Sequence, residues 1–160
     1  ESPSQIDPFL RVILVGETLA KFTDYDTHRD YFVHMKRLFN AIASDIADEE
    51  NAIAILTGEN LGQVSSQTLG NLGAVEEASR FRILRPLLGM DKQEIIDEAR
   101  ALGTYQISTG PELCDALGPD RPTTVADINR LRLNEQNHGG IQHLAESCLN
   151  TLRIRRLSSE

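Results

Sequence analysis

The spacing of apolar residues along this chain changes several times, and each change marks an element. "LRVILVGE" (10–17) is a short β-branched run and predicts a buried strand. "TLAKFTDYDTHRD" (18–30) is polar and mixed, which predicts a loop or a broken turn. From Tyr31 the period becomes helical. Met35, Leu38, Phe39, Ile42 and Ile46 fall on one stripe, and Asp30 stands where a cap belongs. The stripe dissolves in "ADEEN" (47–51), and "AIAILTG" (52–58) follows as an unbroken apolar run. A strand without alternation is typically buried on both faces, as in a parallel sheet covered by helices. "SSQTLGNLGAVEEASR" (65–80) reads as a helix weakened by Gly70 and Gly73, and "FRILRPLLG" (81–89) as a third strand ending at Arg85-Pro86.

Asp91 with Glu94 forms a capping-box pattern, and Ile95, Ile96, Ala99 and Leu102 supply the buried face of the helix that follows. Gly103 sits where a C′ glycine stops a helix. "TYQISTGPELCDALGPDRPTT" (104–124) is a long loop with three prolines, a kind of segment that carries function or motion. Two helices, 124–136 and 140–150, and a basic tail, "TLRIRRLSSE", complete the chain. Alternating strands and helices predict an α/β fold with a doubly wound parallel sheet. Ligands of such sheets bind beyond the carboxyl ends of the strands, which places Gly58, Glu59, Gly62, Arg85 and Pro86 along one edge.

Composition narrows the class. The 160 residues hold 16 basic and 24 acidic side chains, for a net charge of −8. Such a surface repels nucleic acid and anionic membrane on average, so a polyanion must meet a local basic patch or another part of the protein. No apolar run approaches a membrane span, and "ESPSQIDPFL" does not have the pattern of a signal peptide. Two cysteines, Cys114 and Cys148, are too few for a disulfide framework, which points to the cytoplasm. His28, His34, His138 and His143 are scattered without metal-ligand spacing, so no metal site is expected.

The stretch "LTGENLGQVSSQTLGNLG" (56–73) is the richest in candidate chemistry. Gly58 permits close backbone approach or an unusual dihedral. Asn60, Gln63 and Gln67 can donate and accept, as a nucleobase edge or a ribose requires. A helix starting near Ser65 would offer free N–H groups to an anion. These features suit a nucleotide; they also suit a tight strand-to-helix turn, and the residues alone leave both open.

Four separated stretches, "LTGENLGQVSSQTLGNL", "ILRPLLGMDKQEII", "ARALGTYQIS" and "ELCDALGPDRPTT", resemble in order the tRNA 4-thiouridine synthetase family, the PP-loop sulfurtransferases also linked to thiamine biosynthesis. The resemblance covers about residues 10–136. It implies an adenine-nucleotide α-hydrolase-like fold, incomplete at its N-terminal side. It also implies an enzyme that uses ATP, with Mg²⁺, to adenylate a uracil carbonyl oxygen of tRNA. Sulfur from a cysteine persulfide then displaces AMP. By position, Lys36, Gly58 and Gln67 match the family's ATP-contacting residues, and Cys114 matches the cysteine that receives or resolves the sulfur. Arg121 nearby would favour its thiolate on close approach. Cys148 lies outside the motifs and reads as structural.

The family's Ser-Gly-Gly-x-Asp-Ser phosphate loop does not occur in these residues. The chain is therefore expected to hold the C-terminal portion of the ATPase domain in 1–136, with a helical extension in 137–160. These residues alone are not expected to hydrolyse ATP. The alternative is a non-catalytic nucleotide-binding or interaction module derived from the same fold. No rhodanese-like segment follows Gln136, so an external persulfide donor such as a cysteine desulfurase is implied. A half sheet leaves an unpaired edge, which predicts a homodimer or association with the missing half-domain.

Overall fold

The computed structural model describes residues 9–62, 64–110 and 114–156, with the side chains of 114 and 115 not described. Its elements run β1 (Phe9–Val12), α1 (Gly16–Ala20), α2 (Tyr31–Glu49), β2 (Ile55–Leu56), α3 (Leu69–Glu76), β3 (Ile83–Leu84), α4 (Lys92–Ala101), α5 (Tyr105–Ser108), α6 (Ile128–Gln136), α7 (Ile141–Leu149) and β4 (Arg153–Arg156). The fold is α/β: β2 and β3 pair in parallel, Ile55 opposite Ile83 and Leu56 opposite Leu84, with α3 in the crossover.

Helix α2 is the spine. Its stripe packs Met35, Leu38, Ala41 and Ile42 with Leu19, Phe22 and Tyr31, and with Leu144, Ala145 and Cys148 of α7. A second cluster joins Val33 to Ala74 and Val75 of α3 and Leu131 of α6. With apolar contacts on two sides, α2 is held by burial rather than by helix propensity. Cys148 is 2% exposed within the first cluster, as its structural reading requires.

Three readings of the pattern need correction. The first strand is neither eight residues long nor buried. Only Phe9–Val12 is extended, and it pairs antiparallel with β4, Phe9 opposite Arg156 and Val12 opposite Arg153. The apolar run is exposed on one face, Leu14 at 65%, while Ile13 and Val15 on the other are half-buried against the cluster of α2 and α7. Within the basic tail, Arg153–Arg156 is thus a strand. The segment read as loop contains α1, which delivers Leu19 and then Phe22 to the core. Helix α4 carries the expected capping box and Gly103 follows it at φ +74°. Its apolar face is only half-buried, however, and Leu102 is 75% exposed, since α4 has little beneath it but α5.

Candidate functional site

β2 gives way at Thr57, whose N–H donates to the Leu84 carbonyl at 3.0 Å, and the chain turns away from the sheet. The turn is tied to the segment after β3 at two points. The Leu61 N–H donates to the Leu88 carbonyl, and Asn60 Nδ2 donates to the carbonyls of Leu87 and Met90. Gly62 then takes φ +76°, a conformation that disfavours side chains, and its N–H donates to the Gln67 carbonyl at 2.9 Å. A 3-10 turn, Ser65–Gln67, precedes Thr68, which caps α3 by accepting from the Asn71 N–H.

The 3-10 turn forms one wall of a cleft of about 700 Å³. Phe32, Met35, Lys36 and Phe39 of α2 form the floor, and Gly118, Pro119, Asp120 and Pro122 the opposite wall. Asn71 binds the two walls together. It is fully buried, donates to the carbonyls of Ser65 and Thr123, and accepts from the Ala126 N–H. The far wall also lies tight on the floor: a Cβ on Gly118 would fall 2.3 Å from Phe32 Cζ.

Of the sequence-derived candidates, Lys36 and Gln67 line this cleft together. Gln67 Oε1 accepts from the Asn60 backbone N–H at 3.2 Å. A backbone N–H can only donate, so the oxygen faces it and the amide NH₂ is the end left to act as a donor. Gly58 stands in the turn behind and is not among the lining residues. Its φ is not left-handed; the position needing that freedom is Gly62. Asn60 proves to be a structural tie, 5% exposed, not a ligand group, and Gln63 lies outside the described residues. The helix expected from Ser65 begins at Leu69, so the anion-facing helix terminus is not formed at Ser65.

Cys114 opens a 3-10 turn, Cys114–Leu117, whose side chain at 114 is outside the described residues. The turn is anchored at its far end by His28, whose Nε2–H donates to the Leu117 carbonyl at 2.9 Å. Gly118, the next residue, is already in the cleft wall. Four residues of chain span at most about 14 Å, which bounds the distance from the Cys114 backbone to that wall.

Charge at the site is arranged in a chain that sequence reading missed. Glu59, 3% exposed, accepts from Arg85 Nε at 2.8 Å and has Lys36 Nζ at 3.6 Å. Arg85 also donates to Glu76 at 2.7 Å. Burial would lower the Arg85 pKa, but its hydrogen bonds to Glu59 and Glu76 outweigh that and hold it above its ordinary value. Behind α2, Arg37 is buried against Glu135, Glu77 and the Ala74 carbonyl, and His34 Nδ1 is 3.3 Å from Glu135 Oε1. The signal for this second network was available: His34 and Arg37 stand three apart on the face of α2 turned to α6.

Comparison with known proteins follows the same outline. The model of the family described as "Thiamine biosynthesis protein (ThiI)" matches residues 6–138. The chain is 40% identical over 132 residues to a probable tRNA sulfurtransferase of Moorella thermoacetica, covering 81% of this chain and 34% of that one. It is 37% identical over 147 residues to that of Nocardia farcinica, covering 91% and 36%. The chain thus spans about a third of the length of these curated relatives. A solved structure described as a 4-thiouridine synthetase–RNA complex with bound ATP superposes with a TM-score of 0.87 at 30% identity, over 96% of this chain and 40% of that one.

Proposed function

The chain belongs to the thiamine biosynthesis protein (ThiI) family, and from that premise we propose that it forms the C-terminal part of the ATPase domain of an ATP-dependent tRNA sulfurtransferase. The observation that carries the reading is the cleft, in which Lys36 and Gln67 converge beside an apolar floor. Its volume lies within the range of small-molecule sites. Phe32 and Phe39 present rings to a base, the Gln67 amide supplies a donor to its acceptor edge, and Lys36 supplies a cation to phosphate. Gly58 contributes by shaping the turn that carries Glu59 and Asn60. The family relationship and the likeness to a protein with bound ATP support the nucleotide.

In this reading ATP, with its Mg²⁺, activates a uracil carbonyl oxygen of tRNA as the adenylate, with pyrophosphate leaving. The terminal sulfur of a cysteine persulfide then attacks that carbon and AMP leaves; a second thiol takes the cysteine sulfur into a disulfide, breaking the S–S bond and releasing 4-thiouridine. Cys114 receives or resolves the sulfur, and the anchored 114–117 turn beside the cleft wall supports that role. A cysteine desulfurase or similar donor charges it, and tRNA is held mainly by other parts of the protein. Residues 137–160 serve as a helical extension. The short β2–β3 ladder, with Leu56 and Leu84 exposed at 70% and 51%, supports completion by a partner half-domain or a second copy. No described helix is long and apolar enough to cross a membrane, and we place the protein in the cytoplasm.

The test is 4-thiouridine formation by the full chain with ATP, tRNA and a persulfide donor, the family's phosphate-loop segment being present. Cys114→Ser should abolish thiolation while ATP still binds. Undiminished turnover by Cys114→Ser would remove the sulfur role. ATP binding by the wild type with no turnover under these conditions would leave a nucleotide-binding module instead.

A further inference from the structure

We propose that Glu59 is a built-in anion that occupies Lys36 while the cleft is empty and yields it to the phosphates of an incoming nucleotide. The inference rests on the reading of the cleft as an adenine-nucleotide site. Three observations carry it. First, Glu59 has two cationic neighbours held unequally: Arg85 at 2.8 Å in a direct hydrogen bond, and Lys36 at 3.6 Å, beyond hydrogen-bond range. Second, the exposure is graded. The Glu59 and Arg85 side chains are 4% and 9% exposed, whereas Lys36 is 27% exposed and lines the cleft. Third, the charges of Lys36, Glu59, Arg85 and Glu76 cancel.

Lys36 is therefore the loose end of a fixed chain. Withdrawing it costs one weak, partly solvated ion pair. Glu59 is not stranded by that loss, because Arg85 and the Thr57 hydroxyl at 3.3 Å still satisfy it. A buried carboxylate left with no partner would be far more costly. The arrangement lets one cation change partners without leaving a bare charge behind. It also means that Glu59 competes with phosphate for Lys36.

The experiment is a calorimetric ATP titration of the full chain, at fixed ionic strength, for wild type, Glu59→Gln, Lys36→Met and the double variant. Removing a competitor of this exposure should tighten ATP binding by about two- to fivefold in Glu59→Gln. The gain should vanish in the Lys36→Met background, because Glu59 acts through Lys36. Unchanged or weaker binding by a Glu59→Gln protein with wild-type circular dichroism would overturn the proposal. So would a gain that persists without Lys36, which would trace it to Arg85. In parallel, the rate at which an amine reagent labels Lys36 without nucleotide should rise in Glu59→Gln. Equal rates would show that Glu59 does not hold the ammonium. Should Glu59→Gln fail to fold, Glu59→Asp keeps a charge for Arg85 while drawing it back from Lys36, and faster labelling is expected there too. Loss of wild-type ATP binding would sink the nucleotide reading itself, whereas intact binding with no change in Glu59→Gln removes only the exchange.

Discussion

Replacing Glu135 by Gln should destabilise the protein strongly at neutral pH and hardly at all in acid. Glu135 takes Arg37 Nε at 2.5 Å on one oxygen and Arg37 Nη2 at 2.9 Å on the other, and both side chains are buried, at 3% and 2% exposure. Gln presents one oxygen and one NH₂, so a donor would face a donor, and the guanidinium would lose half its fork. Breaking a buried pair at one partner costs about 3–5 kcal/mol. Arg37 keeps Glu77 at 2.7 Å, so the lower end applies, about 3 kcal/mol. For a domain of this size that is a fall in Tm of about 6–12 °C. The pH dependence follows from the carboxyl group. Burial pushes the Glu135 pKa up, but hydrogen bonds from Arg37 and His34 pull it below its ordinary 4.5. A carboxylate with a depressed folded pKa contributes stability that is complete above 4.5 and is lost as the pH falls through the folded value. Below that value the wild-type group is protonated and resembles Gln. Thermal and urea unfolding followed by circular dichroism at pH 7, and again in steps below pH 4.5, would show the two proteins converging. A loss under about 1 kcal/mol at pH 7, or a gap that stays constant into acid, would refute the account.

Gly118→Ala would place a methyl 2.3 Å from Phe32 Cζ and 3.0 and 3.1 Å from Cε2 and Cε1 of the same ring. Overpacking of this kind costs about 1–3 kcal/mol, and because the wall of the cleft must shift, the KM for ATP should rise along with the fall in Tm. An unchanged KM would separate that wall from nucleotide binding. Asp91→Ala removes one half of the α4 capping box, the bond Asp91 Oδ1 accepts from the Glu94 N–H, and leaves the other, which the residue 91 backbone N–H donates to Glu94 Oε2. The cost is about 1 kcal/mol, and since no α4 side chain is fully buried it should appear as faster amide exchange confined to α4, with Tm little moved. Uniformly faster exchange across α2 would contradict this.

The helices were readable because their causes are local. The α2 stripe, the α4 capping box and the α6–α7 pair follow from spacing and caps over a few residues. The parallel pairing of β2 and β3 was anticipated from apolar runs, although each strand proved to be two residues long. Failures arose where the deciding partner is distant. β1 reads as a core strand until β4, some 140 residues later, pairs beside it. Lys36 and Gln67 could be nominated from motif likeness, and they do share a cleft. Glu59 could not be seen as the link to Lys36, because that depends on the angle at which α2 crosses the turn after β2. Asn71 looked like one more small polar residue, yet two of its side-chain bonds reach Thr123 and Ala126, 52 and 55 residues away.

Lys36 and Arg37 are adjacent in α2, yet one opens onto the cleft and the other is locked to Glu135 in the interior. Each added residue turns an α-helix by about 100°. A single insertion or deletion upstream of them within the helix would swing the ammonium toward the packed interior and the guanidinium out of its pocket, or break the apolar stripe. The length of this helix before position 36 is thus fixed by two unrelated demands at once, so relatives should accommodate changes in length in the loops around it while this turn keeps its register.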